Sequence, residues 1–155
     1  MIEYQTFISE IVIPAIGLLG FAIGGAITIA VYYKNSQIKR SEWLFSLYEK
    51  FFYESRFHEI RQILDWENET ELSRLRERLK TKTDIELEEK FVDFLNFFEF
   101  IASLWLLKQL KLKEIKMMFE YYLTLLSSQQ FVTDYAEKWG YEGLSSLLQK
   151  FRPTN

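Results

Sequence analysis

Few residues of this 155-residue sequence carry side chains that commonly do chemistry. The sequence contains no cysteine, which excludes a disulfide, a thiolate nucleophile and a cysteine-based zinc site. Its single histidine, His58, leaves no basis for most metal sites or for most histidine-based catalysis. No glycine-rich turn that could bind a phosphate joins a strand to a helix. We therefore predict no catalytic, cofactor-binding or metal-binding residue.

One set of polar side chains does recur at helical spacing inside an apolar segment. Asp93, Asn96 and Glu99 lie three residues apart within residues 91–107, so they share one side of a predicted helix. A buried carboxylate must be paired or protonated. We predict a buried polar network of these three residues with Arg61, in which Arg61 and Glu99 form a structural ion pair between two helices. A proton-transfer role for Glu99 is the alternative.

The element that must position the rest of the chain is an apolar run near the N-terminus. Residues 11–33 contain no charged side chain. As a helix they would extend about 34 Å, enough to cross a bilayer core of about 30 Å. No basic residue precedes the run, and it is longer than the roughly 7 to 15 apolar residues of a signal peptide. We therefore predict a retained transmembrane helix over residues 11–33 rather than a cleaved signal.

Basic residues flank this run on one side only, since Lys34, Lys39 and Arg40 follow it and none precedes it. Cytoplasmic flanks of membrane helices carry an excess of Lys and Arg. The N-terminus is therefore expected outside the membrane. We predict a short external segment over residues 1–10 and a cytoplasmic domain over residues 34–155.

Small residues in the run form two stripes on nearly opposite sides of the predicted helix, at about 100° per residue. The stripes comprise Gly17, Gly20, Gly24 and Thr28 on one side and Ala15, Ala22, Ala26 and Ala30 on the other. The Gly20-x-x-x-Gly24 spacing lets two helix backbones approach closely. A helix with small residues on one face suits a two-fold dimer. A helix with small residues on two faces suits packing between two neighbours, as in a ring closed by heterologous contacts. We predict self-association through this span; the alternative is that Gly and Ala are simply frequent in membrane helices.

The rest of the sequence predicts an all-α domain, a four- to five-helix cytoplasmic bundle. The predicted helices cover residues 36–66, 71–80 and 85–109, followed by one that begins near residue 114 and is bent or broken at residues 127–130, and by a last one that begins near residue 141. Gly140 is placed to end the helix that precedes residue 141. Asp84 is placed to cap the helix over residues 85–109, which is apolar on nearly all sides and is therefore expected at the centre. A second membrane span there is the alternative, but Asp93 and Glu99 would each cost about 2.5 to 3.5 kcal/mol near the bilayer centre.

The charge balance disfavours a nucleic-acid partner. All 19 basic residues and 20 of the 22 acidic residues lie from Lys34 onward, because only Glu3 and Glu10 precede it. Nucleic-acid-binding surfaces normally show net positive charge gathered on one face. The most basic stretch comprises Arg74, Arg76, Arg78, Lys80 and Lys82. We interpret it as a solvated outer helix, with contact to anionic lipid or RNA as the alternative.

A membrane anchor followed by an all-helical domain with Leu95-Asn-Phe-Phe-Glu99 on its central helix resembles a set of bacterial single-pass membrane proteins. It is similar to the membrane accessory protein of type VI-B CRISPR systems, whose soluble part is a divergent HEPN-type bundle. The resemblance implies a ring-shaped oligomer in the bacterial inner membrane, with a pore that supports antiphage defence.

The signature of HEPN ribonucleases, an Arg followed about four to six residues later by a His, is absent from the sequence. Arg56 lies only two residues before His58, and Arg61 follows it. RNA cleavage by that chemistry is therefore not implied. We expect His58 to pack or hydrogen-bond at the surface of the bundle.

These observations predict a non-enzymatic single-pass membrane protein that self-associates into an oligomeric membrane assembly, a pore according to the resemblance. Its expected partners are the lipid bilayer and further copies of the chain. The alternative is a membrane-tethered adaptor whose bundle binds a cytoplasmic protein, which the aromatic content of 17% explains equally well. A HEPN-like ribonuclease is the third hypothesis. No cofactor is expected.

Overall fold

The computed structural model describes residues 13–65 and 69–152, and the side chains among them except those of residues 13–20, Ala22 and Glu69. The described residues form seven α-helices and no strand, which confirms the all-α prediction. The helices are α1 Ile13–Tyr53, α2 His58–Asp65, α3 Glu69–Thr81, α4 Ile85–Leu106, α5 Leu112–Ser128, α6 Gln130–Lys138 and α7 Glu142–Leu148. The chain divides into two compact units, residues 1–47 and 48–155, which are taken separately below.

The first unit contains most of α1, and the described side chains from Phe21 to Tyr33 are all exposed. Over the part of the chain that the structure describes, no helix has the length and apolar character needed to cross a bilayer. The predicted external segment, residues 1–10, lies outside the described residues, as do the first two residues of the predicted span. The transmembrane helix therefore stays a prediction.

The second unit is built around α4. Its Phe91, Phe94, Leu95, Phe98 and Ile101 are fully buried, and the helix packs against α2, α3 and α7. A helix that is apolar on nearly all sides has to be surrounded, because every exposed face would leave large apolar side chains in water. The prediction that this segment forms the central helix is confirmed.

Aromatic side chains fill the core of the second unit. The ring of Phe51 has its centroid 5.5 Å from that of Phe94, 5.2 Å from that of Phe98, 5.3 Å from that of Phe119 and 4.9 Å from that of Tyr122. Aromatic pairs at such distances stabilise a core by about 0.5 to 1.5 kcal/mol each beyond their buried area. Many of the aromatic side chains thus pack the last turns of α1, which belong to the second unit, against α4 and α5.

The predicted uninterrupted helix over residues 36–66 is wrong, because the chain leaves the helix at Glu54, where φ is −71° and ψ is 129°. A 3₁₀ turn follows over Ser55–Phe57 before α2 begins. In one continuous helix Phe51 and Phe57 would point about 120° apart around the axis. The break lets both be fully buried, with ring centroids 5.9 Å apart.

Two helix boundaries, the start of α4 and the end of α6, were predicted correctly from single residues. Oδ1 of Asp84 accepts a hydrogen bond from the backbone N–H of Leu87 at 3.1 Å, so Asp84 caps α4 as predicted. Gly140 follows α6 with a left-handed φ of 77°, a conformation that glycine adopts without strain. The described part of the second unit contains six α-helices, α2 to α7, more than the four to five predicted, because the chain leaves the helix at Glu54 before α2 and again at Gln129 between α5 and α6.

Candidate functional site

The carboxylate of Glu99 joins α4 to α7. Its Oε1 accepts a hydrogen bond from the backbone N–H of Gly143 at 3.1 Å, and its Oε2 accepts one from that of Leu144 at 2.5 Å. The first N–H groups of a helix have no partner within the helix, and the positive end of the helix dipole favours a negative charge there. Both oxygens of Glu99 are therefore engaged in a structural contact.

Asn96 and Asp93 lie on the same side of α4, as predicted, but both are exposed and Glu99 is half-buried. The hydroxyl of Tyr141 donates a hydrogen bond to Oδ1 of Asn96 at 3.1 Å. Burial raises the pKa of Tyr141, and the negative charges of Glu99 and Asp93 raise it further. The three predicted residues thus gather around Tyr141 at the surface of the bundle rather than in its core.

Arg61 is not part of this network, and the predicted ion pair with Glu99 is not formed among the described residues. Arg61 is only 9% exposed, and its guanidinium carbon lies 5.6 Å and 5.5 Å from the ring centroids of Phe51 and Phe52. Its Nε has no hydrogen-bond partner in the described chain. Among the described residues, the contacts of this guanidinium are with the aromatic rings of Phe51 and Phe52.

His58 begins α2 and is exposed, at the bundle surface as expected. The nearby Arg56 forms an ion pair with Glu54 at 2.6 Å, and its guanidinium carbon lies 4.5 Å from the ring centroid of Phe57. Within residues 13–65 and 69–152 no group of three histidine, aspartate or glutamate residues could hold a metal ion. The contacts described next to His58, the ion pair and the ring contact of Arg56, are therefore structural contacts at the start of a helix.

The small-residue stripes of α1 are exposed wherever they are described. Thr28 donates a hydrogen bond from its Oγ1 to the carbonyl oxygen of Gly24 at 2.8 Å, and Ala26 and Ala30 are exposed. A Cβ placed on Gly24 would have no atom within 4 Å in the described chain. The side chains at four further stripe positions lie outside the description, namely Ala15, Gly17, Gly20 and Ala22. The described stripe residues thus have no packing partner within the described chain.

A groove that the sequence analysis missed lies between α3 and α6, with a volume of about 340 Å³. Its walls combine basic and aromatic side chains, namely Arg76, Lys80, Lys82, Lys138, Phe131, Tyr135 and Trp139. The basic stretch of α3 was apparent from the sequence, but its aromatic partners lie about fifty residues downstream. The spacing of Phe131, Tyr135 and Trp139, four residues apart, was the signal that could have identified the second wall.

The network around Tyr141, the exposed stripes of α1 and the groove between α3 and α6 are the candidate sites of the described chain. No protein-family model, no curated protein and no solved structure matches this chain.

Proposed function

We propose that this protein is anchored in a membrane by its N-terminal helix and self-associates through that helix, with its helical bundle in the cytoplasm. The observation that carries the proposal is the exposed apolar surface of α1. Phe21 is 85% exposed, Ile27 59% and Tyr32 71%. Contiguous apolar surfaces on a single chain mark contacts with a membrane or with another protein.

The sequence around α1 supports a membrane as the first of these contacts. Residues 11–33 contain no charged side chain, and α1 continues from Ile13 without interruption to Tyr53. Tyr32 and Tyr33 stand at the end of the uncharged run, immediately before Lys34. Tyrosine is enriched where a membrane helix meets the headgroups, and basic residues are enriched on the cytoplasmic side.

The two small-residue stripes support self-association as the second contact. The space beside Gly24 is open in the described chain, so a second helix can approach that face without displacing a side chain. A helix with small faces on two opposite sides can contact a neighbour on each side, and such contacts close into a ring. The architectural resemblance to the type VI-B membrane accessory protein extends this to a pore acting in bacterial antiphage defence.

Exposed apolar residues of the bundle favour a second candidate function, that of a membrane-tethered adaptor. Leu106 is 55% exposed, Leu107 68% and Met117 78%. Such side chains are frequent in surfaces that bind other proteins. The adaptor predicts a cytoplasmic protein recovered in stoichiometric amount and no ion leak on overexpression, whereas the pore predicts a leak without that protein.

Single-cysteine labelling tests the membrane anchor and its orientation, because the native chain contains no cysteine. In spheroplasts, a membrane-impermeant maleimide should label a Glu3→Cys variant, and it should label Lys150→Cys only after lysis. The unmodified chain, which cannot react, is the control. Labelling of both variants only after lysis, together with extraction of the protein by alkaline carbonate, would contradict the anchor.

A further inference from the structure

The basic residues of α3 are sorted onto two sides of the helix. Arg74 forms an ion pair with Glu71, and Arg78 forms one with Asp84 at 3.0 Å. Positions two residues apart lie about 160° apart around a helix, so Arg76 is on nearly the opposite side from these pairs. One side of α3 is therefore neutralised by carboxylates, while the other side faces the groove.

Four cations line this groove, and none of them forms an ion pair with a carboxylate in the part of the chain that the structure describes. They are Arg76, Lys80, Lys82 and Lys138. Two carboxylates also line it, but each is engaged by a neutral donor. The hydroxyl of Tyr135 donates to Glu88 at 3.4 Å, and Nε2 of Gln130 donates to Asp134 at 2.7 Å. The groove thus carries an excess of two positive charges.

Aromatic rings contact three of these four cations. The guanidinium carbon of Arg76 lies 5.4 Å from the ring centroid of Phe131. The Nζ atoms of Lys82 and Lys138 lie 5.5 Å and 5.4 Å from the centroid of the same ring, that of Trp139. Cation–π contacts of this kind fix the charged groups without neutralising them. Because cations already occupy these rings, the rings are poorly placed to stack on the bases of a single-stranded nucleic acid.

We propose that the groove between α3 and α6 binds a phosphate group, carried either by a soluble phosphate compound or by an anionic lipid headgroup. The excess of two positive charges matches a phosphate dianion, and an arginine presents N–H groups that bind phosphate in pairs. A volume of about 340 Å³ also exceeds the roughly 30 Å³ of one water molecule by a wide margin, which leaves room for a phosphate and its substituent. The proposal does not depend on the membrane anchor.

Lys82 allows binding to be separated from folding. Its backbone φ is 53°, in the left-handed region where glycine is favoured, so Lys82→Gly removes a groove cation and also relieves the backbone. Lys108 has a φ of 59° and does not line the groove. Lys108→Gly is therefore a matched control with the same loss of charge and the same backbone relief.

Binding should be measured by isothermal titration calorimetry on the purified full-length protein, with inorganic pyrophosphate and with dioctanoyl phosphatidic acid as probes. Lys82→Gly should weaken binding about tenfold, since it removes one charge-assisted contact. Arg76→Gln combined with Lys138→Gln should abolish it. Arg74→Gln combined with Arg78→Gln removes the same two positive charges, but from the side of α3 that carboxylates already neutralise. This variant should retain binding within about twofold, as should Lys108→Gly.

The two probes distinguish the source of the phosphate. Binding of pyrophosphate supports a soluble ligand, and binding of phosphatidic acid alone supports a lipid headgroup, with dioctanoyl phosphatidylcholine as the neutral comparison. The proposal is overturned if neither probe binds the unmodified protein. It is also overturned if the Arg74/Arg78 variant loses as much affinity as the Arg76/Lys138 variant while both unfold cooperatively.

Discussion

Glu99 of α4 and Gly143 of α7 lie so close that a Cβ atom on Gly143 would come within 2.7 Å of Oε1 of Glu99. The missing side chain at Gly143 lets the carboxylate reach the backbone N–H groups of both Gly143 and Leu144. This contact connects the central helix of the bundle to its last helix.

Gly143→Ala should lower the free energy of unfolding by about 1 to 2 kcal/mol, because Glu99 would have to move away and lose two charge-assisted hydrogen bonds. In a Glu99→Ala background the same substitution should be neutral or stabilising, since alanine is favoured over glycine within a helix. Denaturant titration of the four proteins measures both effects. Ser146→Ala, at a half-buried α7 position whose hydroxyl donates a hydrogen bond to the backbone carbonyl oxygen of Glu142, is the control. A stabilising Gly143→Ala with Glu99 intact would contradict this reading of the contact.

Arg61→Met should leave the free energy of unfolding within about 1 kcal/mol of the native value or raise it. Methionine keeps the apolar stem between the rings and removes a buried charge whose Nε has no partner in the described chain. Arg61→Ala should lower that free energy by about 2 kcal/mol, because it also leaves a cavity. If both variants lose the same stability in a denaturant titration, the charge itself is what the core requires.

Alkaline pH should destabilise the bundle through its tyrosines. Burial, with the neighbouring Glu88, raises the pKa of Tyr135 to about 12, and burial with Asp65 raises the pKa of Tyr122 from its usual value near 10. A tyrosine whose pKa is higher in the folded than in the unfolded state stabilises the fold below pH about 10. This stabilisation is lost as the pH rises through the folded-state pKa. The free energy of unfolding should therefore fall between pH about 10 and 12, and it should fall less in Tyr135→Phe. Identical pH profiles for the native protein and this variant would exclude the contribution.

Lys108→Gly should raise the free energy of unfolding by about 0.5 to 1 kcal/mol, because lysine is strained in the left-handed conformation that it adopts after α4. Lys82→Gly should give a smaller gain, since it also removes the contact with the ring of Trp139. Thermal unfolding followed by circular dichroism compares the two. A loss of stability in Lys108→Gly would mean that its side chain contributes more than its backbone conformation costs.

What the sequence predicted correctly depends on local chemistry. Asp84 at the start of α4 and Gly140 after α6 have roles fixed by a few neighbouring residues, so their types and positions suffice. The apolar character of α4 likewise predicted its central place. The break at Glu54 had a weaker signal, the shift of the apolar stripe between Phe51 and Phe57, and no glycine or proline marked it.

The partner of Glu99 and the second wall of the groove depend on tertiary packing. Glu99 accepts hydrogen bonds from backbone N–H groups in the first turn of α7, 44 residues away. Backbone N–H groups are present at almost every residue, so the glycine at position 143 is the one sequence feature that could have indicated this contact. A charged partner for Glu99 is what its burial predicts, but the guanidinium of Arg61, the predicted partner, lies against the rings of Phe51 and Phe52 instead. The contact between Lys82 and the ring of Trp139 was likewise not predictable, because only the packing of the helices brings these two residues together.

The mass of the purified protein in detergent, measured by light scattering with the detergent mass subtracted, tests self-association most directly. The unmodified protein should have a discrete multiple of the 18.7 kDa chain mass. Gly24→Leu should reduce it to the monomer by filling the first stripe, whereas Gly25→Leu, which lies off both stripes and also has open space around it, should leave the mass unchanged. A monomeric unmodified protein, or an assembly that survives Gly24→Leu, would contradict self-association through this face of α1.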